Sequence, residues 1–152
     1  MTTLINIRPF ELGDSRAILD LEEEIFNEPN PVLYSMIDSY PTDGFLVAEC
    51  DGVVCGYLVG VLIMDEARVL LLAVKEGYRK KKIGTMLMEH YIGSVAGRAN
   101  LVRIEVRVNN LGAQTFYFKL GFKFIGVISR YYRNGDSAYI MFKPLDQLTL
   151  FL

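Results

Sequence analysis

"VLLLAVKEGYRKKKIGTML", Val69 to Leu87, joins an apolar run to a helical pattern through four consecutive cations, Arg79 to Lys82. Ile83, Leu87 and Tyr91 sit at helical spacing, so a helix starts inside the cationic loop and stops near Gly97. The first N–H groups of such a helix lack intrahelical partners and carry the positive end of its dipole. A strand that delivers the chain to that end builds an anion site, and neighbouring Lys or Arg strengthens it. Gly84 permits close backbone approach. The competing reading is a solvated cationic turn ahead of an ordinary helix. Tyr78 to Leu87 alone weigh the two equally.

Working outward, "ARVLLLAV" (67–74) is apolar almost without a break, which predicts a strand covered on both faces. Before it, "FLVAEC" and "VVCGYLVGVLIM" flank the Asp51-Gly52 turn signal and read as a hairpin. "INIRPF" is a short first strand. "GDSRAILDLEEEIF" is a helix with Ile18, Leu21 and Ile25 on one face and Asp14 or Ser15 as cap. A short helix from about Pro31 follows a proline-rich loop.

After the cationic loop, "LVRIEVRV" alternates strictly: Ile104, Val106 and Val108 point one way, Arg103, Glu105 and Arg107 the other. "AQTFYFKL" is a helix closed by Gly121, with Ala113, Phe116, Tyr117 and Leu120 as its inner face. Two last strands, "FKFIGVISRYY" and "SAYIMF", flank "RNGD". The order β-α-α-β-β-β-α-β-α-β-β predicts a mixed α/β sandwich on one dominant sheet.

Composition narrows the function classes. The length of 152 residues and the absence of linkers or repeats predict one domain, 1–152. A net charge of −2 gives no global basic field, which argues against nucleic acid as a partner. No apolar segment reaches the ~18 residues a membrane span needs, and the start "MTTLINIRPF" lacks a signal-peptide plan. Cys50 and Cys55 read as reduced residents of a strand pair, and one His with two Cys makes a metal site improbable. A cytoplasmic setting is expected.

At the cationic loop the sequence resembles the GNAT superfamily of acetyl-CoA-dependent N-acetyltransferases. The family's pyrophosphate loop reads Arg/Gln-x-x-Gly-x-Gly/Ala; "RKKKIG" matches at Arg79 and Gly84 and departs at Lys82, where the first Gly is usual. "EVRVNNLGAQTFYFKLGF", Glu105 to Phe122, is similar to a segment of the Rim/Ard branch, the protein N-terminal acetyltransferases. Its fixed positions are met at Glu105, Val106, Arg107, Asn110, Ala113, Phe116, Tyr117, Gly121 and Phe122. "RYYRNGDSAYIM" resembles that branch's final hairpin with paired tyrosines, and "NEPNP" its loop before the second helix.

The resemblance implies a GNAT fold of class α/β (α+β): a central mixed, mostly antiparallel sheet of about seven strands with about four helices on both faces. It implies acetyl-CoA as cofactor, leaving as coenzyme A, and protein or peptide N-termini as substrate. The arm of acetyl-CoA takes backbone positions at Leu72, Ala73 and Val74, where one N–H serves as oxyanion donor. Its phosphates take Arg79, Lys80, Lys81, Lys82, Ile83, Gly84 and Thr85, and Asn110 bonds the arm. Glu105 is the base candidate, acting through a water; otherwise it belongs to a solvated charged face. Tyr117 is the candidate acid, also placed against the cofactor; otherwise it is a core tyrosine. Asn110 reads equally as a helix cap. Glu28, Tyr34, Tyr131 and Tyr132 line the peptide entrance. His90, mid-helix, reads as structural.

The chemistry fits these types. The amine must be neutral to attack, and a thiolate must leave. A free α-amine has a pKa of ~8 against ~10.4 for lysine, so an N-terminal substrate needs only a modest base. Acetylation of lysine or of a small amine such as a polyamine is the alternative, and a non-catalytic coenzyme-A-binding module a third reading. A homodimer and association with the ribosome both stay open.

Overall fold

The expected order of elements is found throughout the computed structural model, which describes residues 4–26, 31–38 and 44–145, the side chains of Pro31, Val32 and Lys80 excepted. Strand β1 (Ile5–Pro9) leads to helices α1 (Ser15–Phe26) and α2 (Pro31–Asp38). Strands β2 (Phe45–Cys50), β3 (Val53–Ile63) and β4 (Glu66–Val74) follow, then α3 (Ile83–Val95). Strand β5 (Leu101–Arg107), helix α4 (Leu111–Lys119) and strands β6 (Lys123–Ile128) and β7 (Ala138–Pro144) complete the chain. The seven strands form one sheet in the order β1-β2-β3-β4-β5-β7-β6. β4 and β5 run parallel, while β1/β2, β2/β3, β5/β7 and β6/β7 are antiparallel. Among the described residues no helix is long and apolar enough to cross a membrane.

The chain divides into two compact units, Met1–Val61 with Leu70–Ser94, and Leu62–Val69 with Val95–Leu152. In the first, Asp51 and Gly52 both take positive φ, the geometry of a tight hairpin turn that matches strand twist. One face of β3 presents Tyr57 and Val59 to a core with Phe10, Ile18, Leu21, Leu33, Phe45 and Val47. The other face carries Gly56 and Gly60. A Cβ at Gly60 would overlap the ring of buried Tyr91, whose hydroxyl donates to the Val61 carbonyl at 3.1 Å. These glycines let α3 lie close on the strand, with Ile83, Leu87 and Tyr91 inward as their spacing predicts.

Neither residue expected to cap α1 does so by accepting its first amides. The Asp14 carboxylate turns back to Arg8, with two contacts of 2.8 Å, and accepts from the Glu11 N–H. The Ser15 hydroxyl donates to the Leu12 carbonyl instead. A nearby guanidinium is the stronger attraction for a carboxylate than an uncharged amide.

Glu22 lies on the same face of α1 as Ile18 and is only 3% exposed. Burial, with Glu23 adding, pushes its carboxyl above the ordinary value. The folded chain therefore holds this proton more tightly than the unfolded chain. The contribution of Glu22 to stability is fully present below the unfolded carboxylate range, ~4.3, and is lost as pH rises through the folded pKa. Glu22→Gln is expected to raise Tm above wild type at pH 7 and to leave it unchanged at pH 4. Calorimetry at the two pH values checks it. A Tm gain of equal size at both would remove titration of Glu22 as the cause.

In the second unit β5 buries Val102, Ile104 and Val106 and turns Arg103, Glu105 and Arg107 to the other side, as the alternation predicts. Two expectations need correction. The run 67–74 is not covered on both faces: Ala67, Val69 and Ala73 are buried, whereas Leu70 is 37% exposed and Leu71 and Leu72 are half-buried. The ladder with β5 runs from Glu66↔Leu101 to Val69↔Ile104, and Leu70–Val74 lies beyond it. Apolarity reports that a strand seeks cover; it does not say what packs over each face. The last hairpin is also shorter than expected. β6 ends at Ile128, so Tyr131 and Tyr132 sit in the connecting loop. There Arg130 takes positive φ and the Tyr132 N–H donates to the Asp136 carbonyl at 3.0 Å.

Candidate functional site

The cationic stretch is a single tight turn. Arg79–Lys81 form one 3-10 turn, and the Arg79 Nε donates back to the Val74 carbonyl at 3.0 Å, tying the turn to the end of β4. Lys82 follows with φ 61° and ψ 24°, a left-handed conformation. That geometry explains why glycine is the residue usual at this place: without a Cβ it enters the region freely, while other residues lose roughly 1–2 kcal/mol. Here lysine accepts the strain and adds a charge. Ile83 is buried and starts α3, leaving Gly84 and Thr85 half-buried in its first turn. Arg79, Lys81 and Lys82 are exposed around it. Lys81 also lies over the Tyr78 ring, 5.4 Å from its centroid. Three exposed cations thus stand at a helix start on a chain of net charge −2, a local concentration of positive charge where the helix dipole has the same sign.

The other unit gathers the carboxylate and the tyrosines. Glu105 has a side chain only 11% exposed, and its Oε1 accepts from the Arg103 Nε at 2.9 Å. Arg103 Nη1 lies 3.9 Å from Glu66 Oε1, and Arg68 Nε donates to that same oxygen at 3.1 Å. Tyr131 stands within the field of this group. Its phenol is pushed up by burial and by Glu105, against the opposing pull of Arg103 and Arg68. Tyr132 meets Tyr131 edge-on at 5.0 Å. Burial raises its phenol to about 12, while the Arg107 guanidinium, 3.8 Å over its ring, pulls the other way. Arg107 in turn donates to Asp136 at 2.9 Å and to Asn134 at 3.2 Å, fastening the tyrosine loop to the end of β5.

Tyr117 is buried, its ring edge-on to Phe116 at 5.0 Å and to Phe122 at 5.5 Å. Burial is the main cause that pushes its phenol up, and Tyr132 adds to it. A phenol in that state keeps its proton far into the alkaline range. Packing and proton donation are therefore compatible in Tyr117, because the ring packs in the core while the phenol keeps its proton.

Asn110 caps α4, its Oδ1 accepting from the Ala113 N–H at 3.1 Å. One residue here was not anticipated. Gln114 is buried on the inner face of α4, and its Nε2 donates to the carbonyls of Arg107 and Val108 at 3.1 and 2.8 Å. The available signal was its position three residues before Tyr117, a polar type on the apolar stripe. Ala113, Phe116 and Leu120 are only half-buried. Tyr34 is 48% exposed on α2, and Glu28 lies outside the described residues. His90 is exposed on α3. Among the described residues no cluster of His, Cys, Asp or Glu is arranged to hold a metal. Cys50 and Cys55 are free and buried; the Cys55 thiol donates to Cys50 Sγ at 3.1 Å, and burial raises it to about 12, which leaves it a poor nucleophile.

Comparison with known proteins points to one family. The model of the acetyltransferase (GNAT) family matches residues 14–122, from the start of α1 to the end of α4. An uncharacterized N-acetyltransferase of Methanocaldococcus jannaschii is 35% identical over 142 residues, covering 90% of this chain and 90% of its own. An N-alpha-acetyltransferase of Sulfurisphaera tokodaii is 36% identical over 115 residues, 66% of this chain and 69% of its own. Ard1 from Thermoplasma volcanium, a crystal structure 29% identical in sequence, superposes with a TM-score of 0.84 and covers 93% of this chain and 97% of its own. The matched segment contains the cationic turn, Glu105 and Tyr117 alike, and on that ground the chain belongs to the acetyltransferase (GNAT) family.

Proposed function

We propose that the protein transfers the acetyl group of acetyl-CoA to the α-amino group of protein N-termini, by direct attack of the amine while both substrates are bound. The observation that carries this reading is that Tyr131 and Tyr132 lie in the field of Glu105, and Tyr117 in that of Tyr132, within one compact unit whose phenols are all held above their ordinary value. The relative from Sulfurisphaera tokodaii bears the name N-alpha-acetyltransferase. Acetyl-CoA supplies the activated acyl group as a thioester. Glu105 takes the proton from the ammonium form of the substrate through a water, and Tyr117 returns a proton to the departing sulfur. A backbone N–H of Leu72, Ala73 or Val74 stabilises the oxygen on which charge develops. The partly exposed Leu70–Leu72 leaves apolar surface for the arm of the donor, by strand-like addition of the arm. Arg79 to Thr85 hold the phosphates, and Asn110, whose Oδ1 caps α4, retains its Nδ2 for the arm.

By the resemblance, Tyr131, Tyr132, Tyr34 and Glu28 are assigned to recognition of the peptide. In the described cluster Glu66 and Glu105 are each matched by an arginine, so no uncompensated negative field is offered to a polyamine. The buried thiols Cys50 and Cys55 support a cytoplasmic setting. The 152 residues act as one domain, in keeping with a family match that runs through both compact units.

The deciding experiment offers acetyl-CoA and two peptide sets, one with free N-termini and one with blocked N-termini and a single lysine. Mass spectrometry is expected to find acetylation in the first set. Modification confined to the lysine peptides would transfer the reading to the ε-amine. A second expectation concerns the turn. Reversing Lys80 and Lys81 to Glu should raise KM for acetyl-CoA about tenfold or more, since a charge interaction of this kind contributes up to about 1 kcal/mol before reversal adds repulsion. An unchanged KM would return the turn to a solvated surface feature.

A further inference from the structure

We propose that Arg103 is a positioning residue for Glu105, held in place by Glu66 and Arg68 behind it; this rests on the reading of Glu105 as the base. The four side chains alternate in sign along two paired strands. Arg68 and Glu66 belong to β4, Arg103 and Glu105 to β5, and the parallel register sets Arg68 opposite Arg103. On each strand the two side chains are two residues apart, so all four share one face of the sheet. The order of contacts is Arg68 to Glu66 at 3.1 Å, Glu66 to Arg103 at 3.9 Å, and Arg103 to Glu105 at 2.9 Å.

The last contact is the specific one. It is made by Nε, the donor nearest the stem of a planar guanidinium, and it engages only Oε1 of Glu105. A bond from Nε fixes both the distance and the plane of approach, which a flexible ammonium does not do. One carboxylate oxygen is thus anchored, and the second, which has no hydrogen-bond partner among the described residues, is left to meet the water or the amine. An unanchored glutamate loses more rotamer freedom whenever it must be placed for proton transfer. Here that loss is met on folding. Arg103 is itself only 24% exposed in its side chain and sits between two carboxylates, so its own freedom is already restricted. Tyr131 lies in the field of Glu105, Arg103 and Arg68, so the anchored oxygen belongs to the same locality as the proposed peptide entrance.

The test is a double-mutant cycle on steady-state turnover, with acetyl-CoA and a peptide bearing a free N-terminus. Arg103→Gln is expected to lower kcat about tenfold while KM for acetyl-CoA stays within twofold of wild type. Arg103→Lys restores the charge without the planar Nε donor and should be slowed to a similar degree. In the Glu105→Gln background the further change Arg103→Gln should alter kcat by less than twofold, because residues that act as a unit are non-additive. Full tenfold losses in both backgrounds would overturn the proposal while leaving Glu105 as base. Full recovery with Arg103→Lys would also overturn it, since charge alone would then suffice. Wild-type turnover in Glu105→Gln by itself would overturn the base assignment, and the positioning role with it. Circular dichroism of each variant keeps loss of fold apart from loss of rate. If Arg103→Gln does not fold, the cycle is run with Arg103→Lys, where equal losses in both backgrounds again overturn the proposal.

Discussion

Glu105→Gln is expected to lower kcat/KM for a peptide with a free N-terminus by about a hundredfold at pH 6, the range typical of a lost general base. At pH 9 the deficit should shrink to a few fold. The reason is the substrate. With a pKa of ~8 an α-amine is about 99% ammonium at pH 6 and mostly neutral at pH 9, so at high pH it no longer needs a base. A lysine substrate, at ~10.4, would postpone the recovery by more than two pH units. The measurement is a pair of pH–rate profiles, wild type and Glu105→Gln, on each type of peptide. A deficit equal at all pH values would assign Glu105 an orienting role in place of a proton-accepting one. The substitution is close to isosteric and leaves an oxygen to accept from Arg103, so the ion pair weakens to an ordinary hydrogen bond and the strand pairing of β5 is untouched.

Tyr117→Phe should lower kcat about a hundredfold while acetyl-CoA affinity and Tm remain near wild type. The ring contacts with Phe116 and Phe122 involve no hydroxyl, so the packing survives the change. A group that protonates the leaving thiolate acts in the transition state and hardly before it, so its loss appears in kcat. Burial holds the Tyr117 phenol above its ordinary value, so wild-type turnover should show no alkaline fall from this group below the ordinary phenol range, ~10. Stopped-flow release of coenzyme A, with thermal melts in parallel, separates the outcomes. A variant with normal turnover and a lowered Tm would leave Tyr117 a core residue only.

Much of the fold was legible because it is set by local periodicity. The alternation of β5, the helical spacing of Ile83, Leu87 and Tyr91, and the Asp51-Gly52 turn each encode one element through neighbours in sequence, and each element stands where expected. The candidate site was legible in part, through the residue types Glu105 and Tyr117 and the cations of the turn. Legibility failed where an outcome depends on a partner distant in sequence. Whether Leu70 is covered is set by what packs over its face of the sheet, which lies outside β4 itself. Whether Tyr131 and Tyr132 lie in a strand or a loop is set by where the β6/β7 ladder ends at Ile128↔Ala138 and by Arg107 fastening Asn134 and Asp136.

The sequence by itself therefore determined the elements, their order and the chemical types on each face, since these follow from spacing and composition. Only the tertiary structure decided that the charged face of β5 is a paired network, that Lys82 adopts a left-handed conformation, and that Gln114 ties α4 to the end of β5. An ion pair or a buried hydrogen bond depends on distances of about 3 Å between groups far apart in the chain. Periodicity constrains which way a side chain points, and the register of the neighbouring strand decides what it meets.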